Sequence, residues 1–248
     1  AAAIFQPHWA DSNRILLTGV GPRQTRQVFR LDLARGGLQA LTPASQDIVS
    51  GPLSAGTSHY AVQGDNAAFT TVAAVRTRAP SAYPMVPTAE GALAELFGGR
   101  TFEIQGWVVR DGGEPKLYHR TRAGGPIYGP WIAPDGRHAV AVLPMDNAAM
   151  PKAWEKYERP PRRGFRFVLV DMGSGNVREL LGAPAGAATT SGAGLEVPFG
   201  AFWSADSKSV LLFNTALPLE AQHPERRRMS YIAEYDLGSG RWSAIEPM

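Results

Sequence analysis

Apolar residues in this chain gather in short runs, each followed after a polar gap by a second apolar stretch that ends in Asp and a Gly-rich string. The first such unit reads Pro7-His8-Trp9-Ala10-Asp11-Ser12-Asn13-Arg14, then Ile15-Leu16-Leu17, then Val28 to Leu33, Gly36-Gly37 and Leu38 to Leu41. A second reads Gly129-Pro130-Trp131-Ile132-Ala133-Pro134-Asp135-Gly136-Arg137, then Ala139 to Leu143, Phe167 to Met172, Gly173-Ser174-Gly175-Asn176 and Val177 to Leu181. A third reads Gly200-Ala201-Phe202-Trp203-Ser204-Ala205-Asp206-Ser207-Lys208, then Val210 to Phe213, Tyr231 to Leu237, Gly238-Ser239-Gly240 and Arg241 to Ile245.

Each unit holds four segments of strand composition, and the Asp, Gly and Ser between them are the residues that tight turns between antiparallel strands require. Four antiparallel strands cannot bury both faces alone, so the units must stack around an axis as the blades of a β-propeller do. Trp9, Trp131 and Trp203 are then expected to pack between blades, and Asp11, Asp135 and Asp206 to shape turns rather than to form an acidic site.

Trp9 and Trp131 are 122 residues apart and Trp131 and Trp203 are 72 apart, so the first interval has room for a degenerate blade. It is placed between Ser50 and Arg122, with strands at Tyr60 to Val62, Ala67 to Val75, Phe102 to Val109 and Leu117 to Arg120. The expected architecture is all-β: a propeller of four-stranded antiparallel blades at about 4–45, 46–125, 126–184 and 195–248. Blades of about 62 residues exceed the usual 40 to 50 of compact repeats. The excess lies in insertions between Leu143 and Gly164, between Thr215 and Ser230, and between Arg76 and Gly99, the last with a short helix expected over Thr88 to Phe97. The first two join the second and third strands of their blades and so emerge on one face.

The signature Pro-Trp-x-x-Pro-Asp-Gly-Arg before an apolar strand, with a later strand ending in Asp and a Gly turn, resembles a known repeat. It is shared by the Tol-system periplasmic propeller and the N-terminal propellers of prolyl oligopeptidase-type serine peptidases. Trp154-Glu155-Lys156-Tyr157 before Phe167 to Asp171, and Val210 to Leu219 after Trp203, are similar to propellers of lasso-peptide isopeptidases, a bacterial branch of those peptidases. The resemblance implies about seven blades, of which this chain supplies about four as part of a larger propeller. It also implies a Ser, Asp and His carried by a C-terminal α/β-hydrolase domain that lies outside these residues.

No Gly-x-Ser-x-Gly elbow is present; the nearest strings, Gly173-Ser174-Gly175 and Gly238-Ser239-Gly240, fall in expected hairpin turns, so no catalytic residue is assigned within the chain. On that reading the propeller gates and positions a peptide, possible substrates including a lasso peptide whose isopeptide bond is hydrolysed. The alternative is a non-enzymatic periplasmic propeller that binds proteins or peptides. A self-contained small propeller is a third arrangement, with Ala1 to Gln6 short for closing it.

Composition narrows the chemistry. Within 248 residues the net charge of +3 is too mild to imply nucleic acid, and no run approaches the roughly 20 apolar residues of a membrane span. The absence of Cys excludes disulfides, thiolate metal sites and cysteine nucleophiles, and leaves the compartment open. The family resemblance and the Ala-rich start imply a periplasmic or secreted location, with the cytoplasm not excluded. His8, His59, His119, His138 and His223 occur singly, without paired ligand spacing, and no Walker loop or dinucleotide fingerprint occurs, so neither a metal nor a cofactor is expected. The candidate binding residues are Trp154, Tyr157, Arg162 and Arg163 in one insertion and Arg226, Arg227 and Arg228 in the other, because aromatic and Arg side chains dominate interface hot spots. The expected partners are a peptide substrate and the hydrolase domain.

Overall fold

The computed structural model describes residues 4–20, 26–42, 44, 47–48, 60–76, 100–121, 127–145, 150–157, 164–185, 199–227 and 230–247. Their strands form four antiparallel sheets, the blades of a partial β-propeller. Blade 1 runs β1 (Ile4–Trp9), β2 (Arg14–Val20), β3 (Arg26–Asp32) and β4 (Gly37–Ala40). Blade 2 has β5 (Asp47–Ile48), β6 (Tyr60–Gln63), β7 (Asn66–Arg76), β8 (Arg100–Val109) and β9 (Lys116–Thr121). Blade 3 has β10 (Tyr128–Ile132), β11 (His138–Pro144), β12 (Phe165–Asp171) and β13 (Val177–Glu179), and blade 4 has β14 (Gly200–Trp203), β15 (Ser209–Thr215), β16 (Tyr231–Asp236) and β17 (Trp242–Pro247). The degenerate blade carries strands where the sequence places them, with one addition. The short β5 pairs with the far half of β7 while β6 pairs with its near half, so the first strand of blade 2 comes in two pieces.

Burial explains why the second and third strands read as apolar runs instead of alternating. The middle strands of blade 3 are covered on both faces by blades 2 and 4, so both parities there must be apolar, whereas β15 and β16 of blade 4, with a described neighbour on one side, alternate between buried and half-exposed positions. All six residues from Ala139 to Pro144 are buried, whereas every residue of the outer strand β4 is exposed. Three clusters fill the interfaces: Leu16, Val28 and Leu41 with Phe69 and Val109 between blades 1 and 2; Ala68, Val108 and Tyr118 with Ala139, Ala141 and Val170 between blades 2 and 3; and Val140, Val142, Phe167 and Leu169 with Val210, Leu212 and Tyr235 between blades 3 and 4.

Register shows that the three tryptophans are not equivalent. In blade 3 the cross-strand row Trp131–Val140–Leu169–Arg178 faces forward, toward blade 4. In blade 4 the row Trp203–Val210–Tyr235–Trp242 faces back to meet it. Trp203 Nε1 donates to the Trp131 carbonyl at 2.9 Å, and Arg178 donates to the Tyr235 hydroxyl at 3.1 Å. Trp131 stands four residues before its turn Asp and Trp203 three, and a shift of one residue moves a strand side chain to the opposite face. The expectation of inter-blade packing holds for this pair, while Trp9 faces the side of blade 1 against which no described blade lies. Trp9 lies in the backward-facing row Trp9–Ile15–Leu31–Leu38 of the first blade, and its side chain is 65% exposed.

One end of the blades is closed by turns that lock to their neighbours. Asp11, Asp135 and Asp206 accept backbone N–H bonds from Asn13, Arg137 and Lys208, as turn residues do. From blade 1, Arg14 pairs with Asp65 and Arg30 donates to the Gly112 carbonyl, both in turns of blade 2. Gly136 of blade 3 has φ +66, a turn conformation that favours glycine, and a Cβ there would press on the Asn66 side-chain amide of blade 2. Asp135 N–H donates to Ser207 Oγ of blade 4 at 3.0 Å.

A titratable group lies between blades 2 and 3. His119 Nε2 is buried without a hydrogen-bond partner, and burial, with the nearby Arg166 guanidinium, pushes the imidazole pKa down to about 4 from 6.5. The unfolded chain therefore takes up this proton first, and stability falls as pH drops from about 6.5 toward 4 while remaining flat above that window. Allowing for partial exposure, the loss is about 2 kcal/mol. Urea midpoints measured at pH 7 and pH 4.5 are expected to differ less in His119→Gln than in the parent.

Candidate functional site

The connections between second and third strands all leave from the end opposite the locked turns, and they include the three long insertions. That end is the candidate site. The segment expected to form a helix, Thr88 to Phe97, lies outside the described residues, as do Arg162, Arg163 and Arg228.

In blade 3 the insertion carries a 3-10 turn, Lys152–Lys156, after Pro151, whose carbonyl accepts from Trp154 N–H at 2.8 Å. This single turn directs Trp154 inward and leaves Lys152, Glu155 and Lys156 exposed. Trp154 is 2% exposed, packs into the cluster between blades 3 and 4, and sits with Nε1 3.3 Å from the Gly182 carbonyl. Tyr157 is buried in the same cluster, and its hydroxyl donates to the Leu217 carbonyl of the other insertion at 2.7 Å. Burial pushes the Tyr157 phenol up to about 12, so it remains a donor at every physiological pH. Neither ring offers a face to a peptide. Within the described residues both side chains act as anchors that hold the insertion down, and the surface above them is polar.

In blade 4 the insertion carries a second 3-10 turn, Pro224–Arg227. Arg226 is fully engaged: it pairs with Glu220 at 2.9 Å, donates to the Pro218 carbonyl at 3.3 Å and stacks over the Trp242 ring at 5.1 Å. Arg227 is exposed. His223 Nδ1 and Glu225 approach to 3.0 Å at the surface. The two insertions thus meet through Tyr157 and Leu217, a contact that no residue spacing announces. Their outer surface is a mixed rim of Lys152, Glu155, Lys156, Glu220, Glu225 and Arg227.

The Gly-Ser-Gly strings lie at the locked end and serve as turns. Ser174 and Ser239 hydroxyls donate to Asp171 and Asp236 at 2.8 and 2.7 Å, and these bonds hold both carboxyls below the usual range. Among the described residues no group of three or more His, Asp or Glu is placed to hold a metal ion. No helix among them is long and apolar enough to cross a membrane. An open groove of about 370 Å³ runs along the first strands of blades 2 to 4 between Gln63, Pro130, Trp131, Pro134, Phe202 and Trp203.

The class these sheets define is the β-propeller. Against solved structures the chain is similar to a prolyl endopeptidase at 12% identity and TM-score 0.51, covering 100% of this chain and 30% of that one. It is similar to the tricorn protease at 11% identity and TM-score 0.50, covering 94% and 18%. It also matches the β-propeller domain of the Trilobed protease from Pyrococcus furiosus at 10% identity and TM-score 0.44, covering 99% and 57%. The chain spans between 18% and 57% of the length of these proteins, and at such identity the likeness is one of fold. No family model and no curated protein matches the chain.

Proposed function

We propose that this chain is the propeller part of a prolyl oligopeptidase-like serine hydrolase, and that its insertion end gates and positions a peptide for that enzyme's reactive serine. The observation that carries the proposal is the two-ended construction. Turns locked blade to blade close one end, while the connections that vary in length, two of them anchored by Trp154, Tyr157 and Arg226, all leave from the other. The repeat signature around Trp131 to Arg137 and the fold likeness to a prolyl endopeptidase support the peptidase assignment. In such an enzyme a Ser hydroxyl attacks the scissile carbonyl, a His takes its proton and returns it to the leaving amine, and water releases the acyl group. None of these groups is assigned to this chain. Its contribution is to decide which peptides arrive and in what orientation. A periplasmic or secreted site of action accompanies this reading.

The finer proposal is a threaded lasso peptide as substrate, supported by the stretches Trp154 to Tyr157 and Val210 to Leu219. Hydrolysis of its isopeptide bond breaks one C–N amide bond and adds one water, giving a free carboxyl and a free amine. In the complete enzyme, charge reversal at Lys152, Lys156 and Arg227 is expected to lower the ratio of peptide to small-ester hydrolysis by about tenfold. An unchanged ratio would overturn the gating role. A lasso peptide that never gains the mass of one water, under conditions where a linear peptide is cleaved, would overturn the finer proposal alone.

A further inference from the structure

Polar side chains bridge the seam between blades 1 and 2, where Arg14 and Arg30 reach Asp65 and the Gly112 carbonyl, and the seam between blades 3 and 4, where Arg178 reaches the Tyr235 hydroxyl. The seam between blades 2 and 3 is built differently. His119 of β9 pairs with Gly106, two residues from Ile104, on the face of blade 2 that packs against blade 3. Across the seam Arg166 stands beside Leu143 near the insertion end of β12, on the face that meets blade 2. His119 Nε2 and Arg166 Nε are both buried without a hydrogen-bond partner. Arg166 is held by its bond to Glu179 of β13 at 3.2 Å. Among the described residues nothing else charged faces the imidazole from the packed strands: β8 presents Ile104 and Val108, and β11 presents Ala139, Ala141 and Leu143. On β9 itself, burial holds the Tyr118 phenol well above its usual range and therefore neutral, Lys116 is exposed toward the turn end, and Arg120 pairs with Glu103 on the opposite face.

We infer that the seam between blades 2 and 3 is an acid-operated joint: a proton on His119 opens it toward the insertion end, while the turns at the other end act as the hinge. This concerns the seam alone and is independent of the peptidase reading. The closed seam has no place for the charge. A protonated imidazole there would face the Arg166 guanidinium and bury an N–H without an acceptor, both costly away from water. In the opened seam the ring meets water and recovers its ordinary affinity for a proton. Because the closed form holds the imidazole at about 4 against 6.5 in water, protons favour the open form as pH falls from about 6.5 toward 4, and above that window the joint is insensitive to pH. At the hinge end Gly175 lies against the Leu117 carbonyl and Gly136 against the Asn66 amide, contacts that acid leaves unchanged. A general loss of stability would loosen every seam, whereas this joint loosens one.

Residues 1–248 contain no cysteine, so Val168→Cys places one thiol in this seam and Val140→Cys places one in the seam between blades 3 and 4. Both valines are fully buried, and cysteine is a small apolar replacement. In the full protein, labelling by a dipyridyl disulfide at pH 7 and pH 5 is read from the mass of the peptide concerned and divided by the rate for an unstructured reference peptide. Relative labelling of Val168→Cys is expected to rise about tenfold from pH 7 to pH 5, and that of Val140→Cys by less than about twofold. His119→Gln and His119→Asn, uncharged and able to hydrogen-bond, should each abolish the rise when added to Val168→Cys, with a circular dichroism spectrum like the parent's confirming that the variant is folded. Equal rises in the two seams, no rise at Val168→Cys, or a rise that survives loss of the imidazole would each overturn the proposal.

Discussion

Phe167→Ala is expected to lower stability by about 3 to 5 kcal/mol, the usual cost of emptying a large aromatic site in a packed core. Phe167 is 2% exposed in the middle of β12, within the cluster that joins blades 3 and 4, and its ring meets Phe199 edge-on at 6.2 Å. The cavity would open where two blades share one core, so neither can relax to fill it alone. Thermal unfolding should shift down by about 10 °C. Val177→Ala, at a half-exposed position of β13, should move it by no more than about 2 °C. A small shift for Phe167→Ala would mean that blades 3 and 4 are not held together through this cluster.

Trp154→Ala should cost a similar amount, about 3 to 5 kcal/mol, although the residue lies in an insertion and not in a strand. Its ring completes the cluster between blades 3 and 4 and fixes the turn from which Tyr157 reaches Leu217. Amide exchange should therefore accelerate in two places at once: around Lys152 to Tyr157, and at Ala216 to Leu219 in the neighbouring insertion. Tyr157→Phe removes only the hydroxyl and leaves the Leu217 carbonyl short of a partner, at a cost of about 1 kcal/mol. Faster exchange confined to the first segment would show that the insertions are independent loops.

Much of the fold can be read from the chain because its turns are chemically explicit. Asp11, Asp135 and Asp206 each accept a hydrogen bond from a backbone N–H two residues on, so their turns announce themselves in any alignment of the repeat. The strands between them follow, including those of the degenerate second blade. The facing of Trp131 and Trp203 is less legible, since their distances to the turn Asp differ by one residue, which reverses a side chain, and composition is blind to parity. The division of the first strand of blade 2 into β5 and β6 is likewise invisible, because a two-residue strand has no periodicity. At the candidate site the aromatic and basic residues of the insertions are conspicuous, and composition alone suggests a gripping surface. Trp154 and Tyr157 turn inward instead, since the insertion has to be pinned before its outer charges can be held in place. Arg226 is spent in the same way on Glu220, Pro218 and Trp242.

The peptidase reading is tested most directly by treating the protein, in the form in which its source cell makes it, with a fluorophosphonate probe and recording native and intact masses. The expected result is this sequence within a longer parent chain, or bound to a second polypeptide, with the probe attached to one serine outside residues 1–248. An unlabelled 26.6 kDa chain without a hydrolase partner would contradict the reading and leave a binding propeller in its place.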